Sequence, residues 1–373
     1  MRVAILTNNV MPPREGIGRH IVEIAKRLPA AGIRPVVLAK GGRDWRRSYL
    51  DGIEIRHMPW PGVAPFHQMM ARRMLERWIA DGADQADMLH VHLPLLPSFS
   101  TSLPTIVTVH SPMATDTAAI AEPGLLPMAI RANARLFSRG YEQHWLDKAH
   151  AIIAVSAGVR DELVAHYALG GREPAIVPNG VDWSFYASGP DRRPEDMILY
   201  VGRLAWRKGL GRLLEAFALL GRKDHRLVFL GEGPLRADLE ARATRLGIKD
   251  QVTFVGFGPP EIVRRWLKRA RLFVNPADYE SGPLTLLEAM AAGTPVVSTR
   301  TGLVAEFGPE PPLLVAEQDP RSLTDRLAEA IDDPRACEER ADAACVLVRA
   351  SFTWDGAAER LAGLYRRAER MAA

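Results

Sequence analysis

At 373 residues and 41.2 kDa the chain exceeds one ordinary core and suits two domains of about 150 to 190 residues each. Its 47% hydrophobic and 25% charged residues are those of a globular chain that buries sizeable cores, which excludes disordered and fibrous classes. Splitting at residue 188 leaves 20 bases against 17 acids before it and 28 against 27 after it, so neither half has the charge of a nucleic-acid-binding domain.

At the N-terminus, Met1-Arg2 followed by Val3 to Leu6 is too short an apolar run for a signal peptide, and no stretch approaches the roughly 18 apolar residues of a membrane span. A cytoplasmic protein is expected. Strands are predicted at Val3 to Thr7, Pro35 to Ala39, Met88 to Val91, Thr105 to Val109, Ala151 to Val155 and Ala175 to Val177. In each the Val, Ile and Leu residues are consecutive rather than alternate, the pattern of a parallel sheet covered on both faces. The second half repeats the scheme at Ile198 to Val201, Leu227 to Leu230, Val252 to Val255, Leu272 to Val274, Val296 to Ser298 and Leu313 to Val315, with amphipathic helical segments filling most of the gaps.

Between the halves, Ala187 to Asp196 is small, polar and broken by Pro190 and Pro194, the composition of a linker. The domains are therefore expected at 1–188 and 189–352. Near the C-terminus Cys337 and Cys345 share one helical segment, where eight residues of rise hold them roughly 12 Å apart, too far for a disulfide. A reducing compartment is the simpler setting. From 353 to 373, Trp354, Ala358, Leu361, Leu364 and Tyr365 recur at helical spacing with Arg and Glu opposite, which predicts an amphipathic closing helix.

In the first half the opening strand leads through Asn8-Asn9 into a loop containing Gly16-Ile17-Gly18, with a helix from about Arg19. A Gly-x-Gly there lets backbone approach a ligand closely. It is no dinucleotide fingerprint: the loop is long, a third glycine is absent, and the next strand ends Leu38-Ala39-Lys40 without an acid. Nine of the ten histidines lie in the first 166 residues. His90-Val91-His92 ends one strand, but no third ligand with recognisable spacing accompanies it, so no metal is expected. One of that pair is expected to be packed and the other to line a cleft. His110 follows another strand and suits contact with a sugar or an acceptor. Lys40 to Arg77 holds eight bases against four acids, and Arg131, Arg135 and Arg139 recur every four residues. Both a solvated helix face and a surface for anionic lipid or a phosphorylated acceptor fit that spacing.

In the second half the most specific stretch runs from Asn275 to Val297 and joins two strands. Gly282 as a permissive N-cap and Pro283 at the first helical position predict a helix over Pro283 to Ala292 that stops at Gly293. The backbone amides from Gly282 through Leu284 and Thr285 would then leave the sheet's carboxyl edge, a place for a phosphate or pyrophosphate. Glu280 precedes the helix and Glu288 lies in its second turn. Two carboxylates flanking an anion site suit a ligand with hydroxyls on either side of its phosphates, the layout of a nucleotide sugar; a turn acid and a solvated helix acid are the bland alternative. Upstream, Arg203 and Lys208 lie five residues apart on the loop after the strand ending Val201, a spacing that suits neutralising a departing diphosphate, with ordinary surface charge as the alternative.

Val201-Gly202-Arg203 with Lys208-Gly209, Glu280 and Glu288 in a Glu-x7-Glu arrangement ending Glu-Ala-Met-Ala-Ala-Gly-Thr-Pro-Val-Val, and Val177-Pro178-Asn179-Gly180-Val181-Asp182 together resemble the GT4 family of retaining glycosyltransferases with the GT-B fold. The resemblance spans the whole chain. It implies two Rossmann-like parallel-sheet domains facing across a cleft, with the C-terminal helix packing back on the first. It further implies a nucleotide-diphosphate sugar held mainly by the second domain, an acceptor held mainly by the first, and no metal or other cofactor. Carried over by motif, Arg203 and Lys208 hold the diphosphate, Glu288 the ribose hydroxyls, and Glu280 the sugar hydroxyls. Gly16 and Gly18 bring backbone to the phosphates, and His110 touches the transferred sugar.

The chain departs from the family pattern at Gly282, where an aromatic is frequent, at Pro283, which replaces a frequent glycine and removes one amide, and at Ser111, where an acid often follows the histidine. Gly302-Leu303-Val304-Ala305-Glu306 matches a common Gly-Gly-x-x-Glu only in part. The expected activity is retaining transfer of a hexose-type sugar from a nucleotide donor to an acceptor hydroxyl. The alternatives are a sugar-nucleotide epimerase or hydrolase on the same fold and a non-catalytic nucleotide-sugar-binding partner of another transferase. Acceptor choice is expected in the segments His57 to Gln68 and Pro112 to Arg139, and the basic patches there suit a phosphorylated or lipid-linked acceptor at the inner face of a membrane.

Overall fold

A computed structural model of the chain describes residues 1–13, 15–42, 44–60, 67–80, 86–118, 120, 125–189 and 194–372. It divides into two compact units. One comprises the described residues of Met1–Ala118, Pro123–Gly180 and Trp354–Ala373; the other is Val181–Thr353 with Ile120.

In the first unit the strands are β1 (Arg2–Val10), β2 (Arg34–Lys40), β3 (Arg46–Leu50), β4 (Ile53–Met58), β5 (Met88–Leu93), β6 (Thr105–Val109), β7 (Ala151–Ala154) and β8 (Ala175–Ile176). They form one sheet in the order β3-β4-β2-β1-β5-β6-β7-β8, parallel at every pairing except β3 with β4. The β3–β4 hairpin is absent from the sequence-based expectation. Its turn is Asp51-Gly52, both at positive φ (50° and 80°), the geometry that suits the twist of a two-residue hairpin.

In the second unit β9 (Glu195–Val201), β10 (Arg226–Leu230), β11 (Val252–Gly256), β12 (Ala270–Asn275), β13 (Val296–Thr299) and β14 (Leu314–Ala316) form a parallel sheet in the order β11-β10-β9-β12-β13-β14. Each expected strand of this half is present. The consecutive apolar pattern has a direct cause: along β9, Met197, Leu199 and Val201 enter one core cluster while Ile198 and Tyr200 enter the cluster on the other face. Both faces are covered by helices, so alternation has no use here.

Three expectations shift. The division falls between Gly180 and Val181, ahead of the proline-broken segment, because the helix Trp183–Ala187 packs Trp183, Phe185 and Tyr186 against the second core, and Arg264 donates to the Phe185 carbonyl at 3.0 Å. Pro190 to Arg193 of that segment lie outside the described residues. The first helix spans Gly16–Arg27, so Gly16 and Gly18 belong to its first turn rather than to a loop. Pro283 is the N-cap (φ −69°, ψ 113°) of a helix over Leu284–Ala291, one residue later than expected, and Gly293 ends it at φ 68°.

The closing helix spans Trp354–Ala372 and belongs to the first unit. Arg27 donates to Asp355 at 2.8 Å, and Arg366 donates to the Ala31 carbonyl at 3.0 Å. Among the described residues no helix is long and apolar enough to cross a membrane.

Candidate functional site

In the second unit the strand order reverses between β9 and β12, the switch point at which open parallel sheets bind ligands beyond their carboxyl ends. The loops leaving these two strands carry Arg203 and Lys208 on one side and Glu280 and Gly282 on the other, where Leu284 and Thr285 open the following helix. The structure brings Lys208 and Glu280 together as an ion pair, with side chains 23% and 17% exposed. The guanidinium-bearing Arg203 is exposed, and its carbonyl accepts from Tyr200 Oη at 2.9 Å. Glu288 is buried at 2% exposure, so it is not the solvated helix acid of the bland reading.

Two glycines set this geometry. At Gly209, φ is +62° and a Cβ would lie 1.9 Å from the Pro276 carbonyl; at Gly302, φ is +51° and a Cβ would lie 2.1 Å from the Glu280 carbonyl. Only glycine permits either approach. The Asn275–Gly282 segment is thereby wedged between the loops that follow β9 and β13. Asp278 N–H donates to the Arg207 carbonyl at 2.8 Å, and Arg212 pairs with Asp278 while donating to the Pro276 carbonyl at 3.0 Å.

Arg207, Arg212 and Asp278 were not singled out from the sequence, and Gly302 only as the start of a partial Gly-Gly-x-x-Glu match. Arg207 has positive φ (72°), and burial draws its guanidinium down from its ordinary value against the opposing pull of Glu280 and Tyr279. The available signal was Arg212, a cation in the first turn of the Leu210–Leu220 helix, directly after the loop that carries Lys208. Burial, reinforced by Glu280, holds the Tyr200 phenol well above its usual range, so it stays protonated.

In the first unit the order reverses at β1 and β5, and there the fold collects four buried histidines. His20 comes from the Gly16–Arg27 helix, His90 and His92 from β5, and His110 from the end of β6. His90 bonds Tyr365 Oη at 2.6 Å and Thr108 Oγ1 at 2.8 Å, which makes it the packed member of its pair. His92 is buried as well, at 1% exposure, and its Nδ1 lies 2.9 Å from His110 Nε2. His20 Nδ1 lies 2.8 Å from Asn179 Oδ1, and its ring meets His110 edge-on with centroids 4.8 Å apart. Burial pushes all four imidazoles down, His20 to about 4 and His90 to about 3, so they are neutral at pH 7.

Gly16 is exposed, while Gly18 is buried and packed: a Cβ on it would meet Pro13 Cβ at 2.8 Å. The Arg131, Arg135 and Arg139 row does not persist as three equivalent cations. A π turn at Ala134–Ser138 offsets the four-residue phase, and Arg139 donates to the His166 carbonyl at 2.6 Å and covers the Tyr167 ring. The Arg135 side chain and residues 61–66 and 121–124 of the expected acceptor segments lie outside the described residues.

Residues 187–344 match the family of glycosyl transferases group 1, and residues 14–185 match glycosyltransferase family 4. The chain is 27% identical to glycogen synthase of Mycobacterium tuberculosis over 391 aligned residues, covering 95% of this chain and 92% of that one. Among solved structures it is similar to sucrose-phosphate synthase of Thermosynechococcus elongatus, with a TM-score of 0.80, 20% identity and 98% of both chains covered. It is likewise similar to Anabaena HepE in complex with UDP-glucose, with a TM-score of 0.72, 16% identity, and 98% of this chain and 100% of that one covered. The double parallel-sheet architecture, the Lys208–Glu280 pair at a sheet switch point and the two adjoining family matches converge: the chain is a GT-B-fold member of the group 1, family 4 glycosyltransferases.

Proposed function

We propose that this glycosyltransferase moves a hexose-type sugar from a nucleotide-diphosphate sugar to an acceptor hydroxyl, with retention at the anomeric carbon and without a metal. The observation that carries the reading is the Lys208–Glu280 ion pair beside the start of the Leu284–Ala291 helix at the β9/β12 switch point. Lys208 and Arg203 together with the first helical amides offer positive charge to a leaving diphosphate, the part a divalent cation plays in other phosphate chemistry. Glu288 accepts from the ribose hydroxyls and Glu280 from those of the sugar.

In front-face displacement the bond from the anomeric carbon to the diphosphate oxygen breaks, and the acceptor oxygen bonds the same face. The acceptor proton passes to the departing phosphate, so no protein nucleophile is used. The first unit is assigned the acceptor. Within it His110 is assigned a contact with the transferred sugar, and Gly16 and Gly18 a backbone approach to the phosphates. Basic residues on that unit favour a phosphorylated or lipid-linked acceptor.

UDP-glucose is the first donor to offer, because HepE is solved with it. Purified protein is incubated without metal with UDP-, GDP-, ADP- and TDP-sugars, and nucleoside diphosphate release is followed. One donor is expected to be slowly hydrolysed, and Glu288→Ala to lose that turnover at least about tenfold, the effect of one lost charged hydrogen bond. Absence of binding to every donor overturns the site, and an inverted anomeric product seen by NMR overturns retention.

A further inference from the structure

We infer that His20, His92 and His110 form a binding site for one divalent ion of the zinc, cobalt and nickel class. One ring nitrogen from each lies within 4.8 Å of the other two, and all three residues are buried, at 3%, 1% and 4% exposure. They arrive from three elements, the first helix, β5 and the end of β6, which explains why the His90-x-His92 spacing showed no third ligand.

The donor chemistry is specific. Three imidazoles without a carboxylate are poor ligands for magnesium and calcium, which take oxygen, and good ones for borderline d-block ions. Tetrahedral zinc with bonds of about 2.0–2.1 Å holds its ligand nitrogens about 3.3 Å apart. His92 Nδ1 and His110 Nε2 face each other at 2.9 Å, so the pair has only to open by a few tenths of an ångström. In that pair one ring lends a hydrogen to the other. On binding the ion the donor ring carries this hydrogen on its other nitrogen, and no proton is lost.

His20 is already oriented. Its Nδ1 lies 2.8 Å from Asn179 Oδ1, the outer-shell arrangement that fixes a metal-binding imidazole by holding its second nitrogen on a carbonyl oxygen. The Trp354 ring, with its centroid 5.6 Å from that of His20, packs on the same imidazole. One consequence rests on the function proposed above: an ion on His110 removes that side chain from the sugar, so zinc would inhibit transfer rather than assist it.

The test titrates chelator-stripped full-length protein with Co2+ and reads the visible d–d bands. The expected result is saturation at one equivalent, displacement by Zn2+, no effect of millimolar Mg2+ or Ca2+, and loss of the bands in both His20→Gln and His92→Gln. Bands absent from the folded wild-type protein, or bands that persist in both variants, overturn the site. Should either variant fail to fold, X-ray absorption of the zinc-loaded wild type decides: three imidazole nitrogens are expected, and fewer than three overturn the inference. Binding of Co2+ by all three histidines with donor hydrolysis untouched by zinc supports the site and removes His110 from the proposed reaction.

Discussion

Lys208 and Glu280 are separated by 72 residues and form an ion pair at the carboxyl edge of the second sheet. Neither local sequence makes that contact. It follows from β9 and β12 being neighbours in the sheet and from Gly209 pressing against the Pro276 carbonyl, which brings the two loops to contact distance.

Replacing Lys208 by Met removes the cation proposed for the diphosphate and takes the ion-pair partner from the Glu280 carboxylate. A hydrogen bond to a charged group contributes about 1.5–3 kcal/mol, so the KM for the nucleotide sugar is expected to rise roughly tenfold to a hundredfold. Steady-state kinetics of nucleoside diphosphate release, alongside the urea midpoint, check this. An unchanged KM in a folded variant takes Lys208 out of the donor site.

Gly302 and Gly308 both have positive φ, 51° and 78°, but only Gly302 abuts backbone, the Glu280 carbonyl. Gly308→Ala is expected to cost about 1 kcal/mol from backbone strain alone. Gly302→Ala adds a clash to that strain and is expected to cost about 2–3 kcal/mol and to displace Glu280. Urea unfolding and donor binding measured on both variants separate the two: donor affinity should fall only in Gly302→Ala.

Stability should depend on pH through two opposed sets of groups. Burial depresses His20 to about 4 and His90 to about 3, and lowers His92 and His110 well below 6.5. Between about pH 4 and 6.5 the unfolded chain therefore takes up protons that the folded one refuses, and stability falls as the pH drops. Glu142 acts the other way. Burial raises it to about 7 against the bonds it accepts from Tyr167 and the Met113 amide, so between about pH 4.5 and 7 the folded state holds a proton the unfolded state has lost. Its contribution is lost as the pH rises through 7. Four imidazoles against one carboxyl predict a urea midpoint higher at pH 7 than at pH 5. Glu142→Gln, which keeps an acceptor for Tyr167, should steepen that rise. A flat profile in both proteins contradicts the assignment.

Tyr365 on the closing helix and His90 on β5 share a buried hydrogen bond of 2.6 Å. Tyr365→Phe leaves His90 Nδ1 without that partner, at an expected cost of about 1–3 kcal/mol. Because the bond lies within the first unit, the loss should appear in the urea midpoint while donor binding, proposed for the second unit, stays as it was. A double variant with His90→Phe should recover part of the loss, which a thermodynamic cycle would read as coupling.

Much of this architecture is carried by local sequence. Consecutive aliphatic residues mark strands covered on both faces, and each expected strand of the second half is present in the structure. The β3–β4 hairpin escaped because Arg46 to Leu50 is an exposed, polar edge, although Asp51-Gly52 ahead of Ile53-Glu54-Ile55 was a legible turn signal. Helix starts at Gly16 and Leu284 moved by up to three residues, since one φ/ψ pair at an N-cap decides a boundary that composition only approximates.

By itself the sequence determined the double βα alternation, the family resemblance, and the identity of the charged and glycine residues at strand ends, because periodicity and spacing are properties of neighbours along the chain. Tertiary structure alone decided which of those residues meet. The Lys208–Glu280 pair, the wedge made by Gly209 and Gly302, and the joining of His20 to His92 and His110 all depend on strand order. Strand order in a parallel sheet is set by long crossover connections and core packing, and no spacing along the chain encodes it.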